Sequence, residues 1–132
     1  DRIEGLKLAC EEYKIEFEYI DLPESQDEIN ESMKDQISKG TDSFVALNNK
    51  CTFPVLASLK KRGVNVPSEV RLISFDDNEA FEYMNPPISA VRQPITKIGL
   101  QTAERMYSRL KESKEPGEHF ILPCEFISRG SH

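Results

Sequence analysis

The sequence predicts a doubly wound α/β fold with a parallel sheet, on three observations. Helical and strand periodicities alternate as αβαβαβ along the first 77 residues, the pattern that builds a parallel sheet with helical crossovers. Residues 70–77, VRLISFDD, form an apolar run with β-branched residues that stops abruptly at two carboxylates. A buried strand looks like this where its carboxyl end opens into a polar site. Residues 43–47, SFVAL, are continuously apolar beyond the first position, as expected of a central strand covered on both faces. Ligands of open α/β sheets bind outside the carboxyl ends of the parallel strands. Asp76 and Asp77 therefore stand where function is expected.

Taken in order, residues 1–14 place Ile3, Leu6, Cys10 and Tyr13 at steps of three and four, one face of a helix. The period then changes: IEFEYI at 15–20 alternates Ile15, Phe17 and Tyr19 with Glu16 and Glu18, which predicts an edge strand with one exposed face. A turn around Pro23 follows. Ser25 and Glu28 make a capping box that opens a helix carrying Ile29, Met33 and Ile37 on one side, closed by Gly40. After SFVAL, a helix is predicted over about 52–62, with Pro54 in its first turn, Val55, Leu56 and Leu59 inward, and Gly63 at its end.

Beyond Asp77 the pattern shifts. Residues 78–85 suit a helical turn or two, ended by Pro86 and Pro87. Residues 88–92 are a strand candidate, and Ile95, Ile98, Met106 and Leu110 mark an amphipathic helix to about Lys111. A polar loop is expected over 114–118. Residues 120–127 read as a last strand interrupted by Pro123, which argues for an edge position or a bend between two bodies.

The formal net charge of −6 argues against nucleic-acid contact by this segment, because phosphate binding needs a basic surface. Residues 1–40 hold 12 of the 23 acidic side chains and 5 of the 17 basic ones, interleaved with apolar residues, as on solvated helix faces. Cys10, Cys51 and Cys124 are an odd set without Cys-x-x-Cys spacing, so neither a disulfide framework nor a zinc site is indicated and a reducing cytoplasm fits. No apolar run approaches the roughly 20 residues of a membrane span. Gly-rich phosphate loop, nucleophile elbow and Cys/His pair are all missing. The expectation is a non-enzyme without cofactor or metal, and His119 and His132 are given no catalytic part. A receiver domain using Asp76 and Asp77 for magnesium fits poorly, since Asn48 ends the strand where a phospho-acceptor aspartate would stand.

Four stretches then carry a resemblance. RIEGL at 2–6 is similar to R-x-x-G-F, and ALNN at 46–49 to A-x-N-D. VPSEV at 66–70 with FDD at 75–77 is similar to VP-x-D-V…G-[FY]-D-D, and PPISAVRQP at 86–94 leading to Gly99 to PPLTTVRQP…G. Leu122-Pro123 and Arg129-Gly130-Ser131 agree near the end. In this order the chain resembles the effector-binding core of the lactose-repressor/galactose-repressor (LacI/GalR) family of transcription regulators. Asn49 departs from the family's aspartate, and Ser74 from its glycine.

The resemblance implies the C-terminal subdomain of a type I periplasmic-binding-protein-like core with flavodoxin-like strand order. Residues 1–87 would form that subdomain without its first, central strand, 88–119 would belong to the N-terminal subdomain, and 120–132 would return. It implies an effector cleft contacted by Arg2, Asn48 and Asp76, a small-molecule effector of carbohydrate type, a homodimer, and DNA contact only through an N-terminal head outside this chain. Their chemistry suits a polyol: a carboxylate accepts from two hydroxyls, an amide donates and accepts, and a guanidinium donates as a fork. Asp77, Phe75 and Phe53 read as structural. The competing reading is a periplasmic sugar-binding protein of a transport system, which would need a leader peptide and fits free cysteines less well.

Overall fold

Four strands make one open sheet in the computed structural model, which describes residues 1–111 and 119–132. In chain order the elements are α1 (Arg2–Tyr13), α2 (Gln26–Ser38), β1 (Ser43–Ala46), α3 (Asn49–Lys61), β2 (Arg71–Phe75), a 3-10 helix (Glu79–Tyr83), β3 (Ser89–Arg92), α4 (Ile95–Lys111) and β4 (Glu125–Ile127). The sheet order is β1-β2-β3-β4, with β1, β2 and β3 parallel and β4 antiparallel to β3. The doubly wound pattern thus holds for the three parallel strands, and the last strand takes the edge that Pro123 foretold. No helix among the described residues is long and apolar enough to cross a membrane.

Local signals explain why α2 and α3 begin and end where they do. Ser25 Oγ accepts from the Glu28 amide at 3.3 Å and donates to Glu28 Oε2 at 2.8 Å, closing the capping box. Each helix terminates in a left-handed glycine, Gly40 at φ 96° and Gly63 at φ 70°, where a side chain would be strained. The following amides, those of Thr41 and Val64, reach back to the carbonyls of Gln36 and Leu59 at 3.1 Å. Because Asn48 caps α3, that helix starts three residues before the expected position, and Pro54 lies inside it instead of in the first turn.

The core follows from the apolar faces of these elements. Met33 and Ile29 of α2, Val55, Leu56 and Leu59 of α3, Leu72 of β2, Ala90 of β3, and Phe81 and Ile88 are buried together. α3 packs on β1 and β2, and α2 packs on α3. In contrast, α1 and α4 bury no residue. α4 leaves Ile95, Met106 and Leu110 largely exposed.

Three expectations are corrected. The strand at 43–46, expected at the centre with both faces covered, stands at the edge of the sheet among the described residues, with Val45 36% exposed. Residues 15–20 form no strand: alternation gives a chain one apolar face, but a strand also needs a neighbour for its backbone, and among the described residues β1 pairs with β2 alone. Residues 89–92 form the strand expected over 88–92 and pair with β2 in register Ile73↔Ser89, so the sheet continues past residue 87. The final strand is shorter than expected, starting after Pro123. The loop expected at 114–118 lies outside the described residues.

Candidate functional site

Parallel pairing of β1 and β2 in register Ala46↔Ser74 means that both strands end at one rim. Leu47 and Asn48 leave there from β1, and Asp76 leaves from β2. Asp76 turns through the left-handed region at φ 74°, a conformation aspartate tolerates better than most residues. The turn is held at both ends: the Asp76 amide donates to the Val91 carbonyl at 3.0 Å, and the Ser74 hydroxyl donates to the Asp76 carbonyl at 3.2 Å. Ser74, buried in β2, also shares a 2.6 Å hydrogen bond with Thr52 of α3.

Arg2, at the start of α1, ties the rim together. Its Nη1 donates to the Leu47 carbonyl at 2.6 Å and to Asp76 Oδ2 at 3.0 Å, and its Nη2 donates to Asp76 Oδ1 at 3.1 Å. The guanidinium lies 4.4 Å over the ring of Phe75, a cation–π contact that fixes its plane. Phe75 is thus half-buried as a platform for Arg2, and Phe53 is 38% exposed instead of sealed in the core. Side chains of Arg2 and Asp76 keep 36% and 27% of their surface open, so the pair is partly buried yet reachable by a ligand.

Asn48 is one residue from the Leu47 carbonyl. Its Oδ1 accepts from the Cys51 amide at 3.0 Å and caps α3. Its Nδ2 donors make no hydrogen bond among the described residues. The three expected residues therefore gather at one rim, with Arg2 bonded directly to Asp76 and to the neighbour of Asn48.

Sequence reasoning missed Gln93, whose Nε2 donates to Asp76 Oδ1. It follows the carboxyl end of β3 as Asp76 follows that of β2. The strand-end rule, extended to the third parallel strand, reaches it.

Asp77 does different work. Its carboxylate takes both arms of Arg129, at 2.8 and 3.1 Å, and two bonds from Arg92, at 3.0 and 2.6 Å. It also caps its own turn through the Asn78 amide. Hydrogen bonding from Arg129, seconded by Arg92, holds its carboxyl below the usual carboxylate range although burial opposes this. The same bond raises Arg129. Arg129 in addition donates to the Ile88 carbonyl at 2.6 Å, fastening the last segment to β3. Ser131 completes the fastening: it is fully buried, its hydroxyl donates to the Leu72 carbonyl and accepts from the Ser89 amide at 2.9 Å.

The rim is open, and an adjoining shallow depression is lined by Asp77, Arg92, Gln93 and Lys97. Among the described residues no group of histidine, cysteine and acidic side chains could hold a metal ion. The three cysteines are free thiols.

Comparison with known proteins gives the family to which this fold belongs. Residues 1–132 match the family described as periplasmic binding protein-like domain. The chain is similar to the transcriptional repressor PurR of Vibrio atlanticus, with 26% identity over 99% of this chain and 41% of the repressor. Among solved structures it is similar to a LacI family transcriptional regulator of Enterococcus faecium with bound ribose, with 27% identity, a TM-score of 0.80, and coverage of 98% of this chain and 50% of that one. It is also similar to a periplasmic binding protein/LacI transcriptional regulator of Alkaliphilus metalliredigens complexed with D-xylulofuranose, with 26% identity, a TM-score of 0.80 and the same coverage. The chain thus spans about half the length, or less, of the relatives it matches.

Proposed function

The chain belongs to the periplasmic binding protein-like domain family, as part of an effector-binding core of the LacI/GalR type, and from that premise we propose that its strand-end rim is one half of a carbohydrate site in a transcription regulator. The observation that carries the reading is the guanidinium fork of Arg2, which spans the carboxyl ends of β1 and β2 and presents the Asp76 carboxylate beside Asn48. Arg2 retains N–H donors beyond the three bonds it makes, Asn48 retains both Nδ2 donors, and Asp76 Oδ2 retains an acceptor site. Alternating donors and acceptors of this kind complement the adjacent hydroxyls of a sugar. The relatives bound to ribose and D-xylulofuranose support a pentose-sized polyol.

In this reading a second body closes over the rim. α4, which buries no residue against the sheet, belongs to that body, and the chain crosses to it after Arg92. Effector binding changes the angle between the bodies in a homodimer, and DNA is met by a separate head. Coupling of this sort is a difference in ligand affinity between two states. The regulator acts in the cytoplasm, without catalysis, and the similarity to repressors favours this reading over a transport protein.

Calorimetric titration of the complete polypeptide with D-ribose and other pentoses tests the proposal. Asp76→Asn keeps the shape and removes the charged acceptor, so affinity for the sugar that binds should fall at least about tenfold, as expected for loss of a charge-assisted hydrogen bond. Unchanged affinity in Asp76→Asn, or no pentose or hexose binding at all, would overturn it.

A further inference from the structure

We infer that the buried hydroxyls of Thr52 and Ser74 are a positioning device: a two-proton chain reaching from α3 that holds the left-handed turn of Asp76 in the shape that presents its carboxylate to a sugar. The inference rests on the proposed sugar-binding reading of the rim and deepens it, by naming residues that act through Asp76 without touching the ligand.

Counting protons carries the argument. Thr52 and Ser74 are both fully buried, so neither hydroxyl can turn to water, and each has one proton to give. Their oxygens are 2.6 Å apart, and three carbonyls surround them: that of Asn48 at 3.0 Å from Thr52, and those of Asp76 at 3.2 Å and Phe75 at 3.3 Å from Ser74. One proton must lie between the two hydroxyls, so the other serves a carbonyl at one end only. The Asn48 carbonyl already accepts from the amides of Cys51 and Thr52, each at 3.1 Å. Among the described residues, the Asp76 carbonyl has no donor besides Ser74. Thr52 therefore donates to Ser74 and Ser74 to Asp76, the arrangement that leaves neither carbonyl unserved. Each bond in such a chain polarises the next.

The place of the chain gives it a function. Asp76 stands at φ 74°, a region that a residue with a side chain leaves unless its surroundings hold it there. Two bonds do so: its amide donates to the Val91 carbonyl, and its carbonyl accepts from Ser74. The direction of the Cα–Cβ bond, and so of the carboxylate, follows from the backbone angles they fix. Without the Ser74 hydroxyl the carbonyl end is released, and the carboxylate that meets Arg2 at 3.0 and 3.1 Å loses its fixed aim. Ser74 also stands where the LacI/GalR pattern has glycine, which has no hydroxyl to offer. The device is thus this chain's own and not one that the resemblance implies.

The test uses the complete polypeptide carrying Ser74→Ala, with Ser74→Gly as the second variant in case the first folds poorly, and D-ribose as the probe. Ribose affinity should fall about three- to tenfold, as expected when one positioning hydrogen bond is lost. Ligand-free amide hydrogen exchange over residues 75–78 should quicken, while that of α2 and α3 stays at the wild-type rate. Thr52→Val should weaken ribose binding by less, whereas Thr52→Ser, which keeps the hydroxyl, should bind as wild type does. Because Thr52 acts through Ser74, adding Thr52→Val to Ser74→Ala should cost no further affinity, a result that a merely structural pair would not give. Wild-type ribose affinity in both Ser74 variants, additive losses in the double variant, or ligand-free exchange over 75–78 identical to wild type would overturn the inference. If ribose fails to bind wild type, or binds Asp76→Asn equally well, the sugar-site reading falls instead. The ligand-free exchange comparison then still decides whether the two hydroxyls hold the turn.

Discussion

Replacing Asp77 by alanine should be among the most destabilising single changes at the rim, and its size can be worked from the contacts. Asp77 is 8% exposed and Arg129 12%, so truncating the carboxylate leaves a guanidinium with little access to water. Breaking a buried pair by removing one partner costs about 3–5 kcal/mol, and the residual exposure of Arg129 points to the lower end, about 3. Arg92 is 50% exposed, so Arg92→Ala should cost under about 1 kcal/mol. The pH dependence has a definite sign. The folded-state carboxyl of Asp77 is lowered, so its stabilisation is fully present above the unfolded pKa of about 3.9 and is lost as pH falls from there toward the lowered folded value. Urea unfolding followed by circular dichroism from pH 7 down to pH 2.5 reads both effects. Wild type should lose stability in that acid window, and Asp77→Ala should lack this component. A cost at pH 7 below about 1 kcal/mol, or the same acid slope in both proteins, would refute the reasoning.

Leu59 is fully buried between α3 and the sheet, and Leu59→Ala should cost about 2–5 kcal/mol with an unchanged denaturant slope in the same unfolding assay. Asn48→Ser retains an oxygen to cap α3 but loses the amide donors. It should leave stability within about 0.5 kcal/mol while weakening sugar affinity several-fold in calorimetry, whereas Asn48→Ala should additionally lose about 1 kcal/mol. In this chain on its own, amides of α4 should exchange faster than those of α2 and α3 by mass spectrometry, because no α4 side chain is buried.

Local signals with local causes were legible. Ser25 with Glu28, Gly40 and Gly63 are complete within a few residues, and the structure uses each as its chemistry dictates. The apolar runs at 43–47 and 70–75 became parallel strands with α3 packed on them, but the first stands at the sheet edge among the described residues, because a continuous apolar run reports burial and not the number of neighbours. The alternation at 15–20 misled because it describes a face and not a partner. Pro54 reads as a first-turn residue and so points to a late start for α3, whereas the side chain of Asn48 caps the helix and starts it earlier. At the rim, Asn48 and Asp76 were recognisable as polar residues following apolar strands. The contribution of Gln93 depends on a pairing between distant segments, β2 with β3, that no short window displays.

The free side of β1 has a practical consequence. Ser43, Phe44, Val45 and Ala46 hydrogen-bond to β2 on one flank, and among the described residues their other flank is unpaired, so it offers main-chain donors and acceptors to any extended peptide. With Val45 36% exposed beside it, this flank is where molecules of the chain should first adhere at high concentration. A lysine at Val45 would be the economical solubilising change.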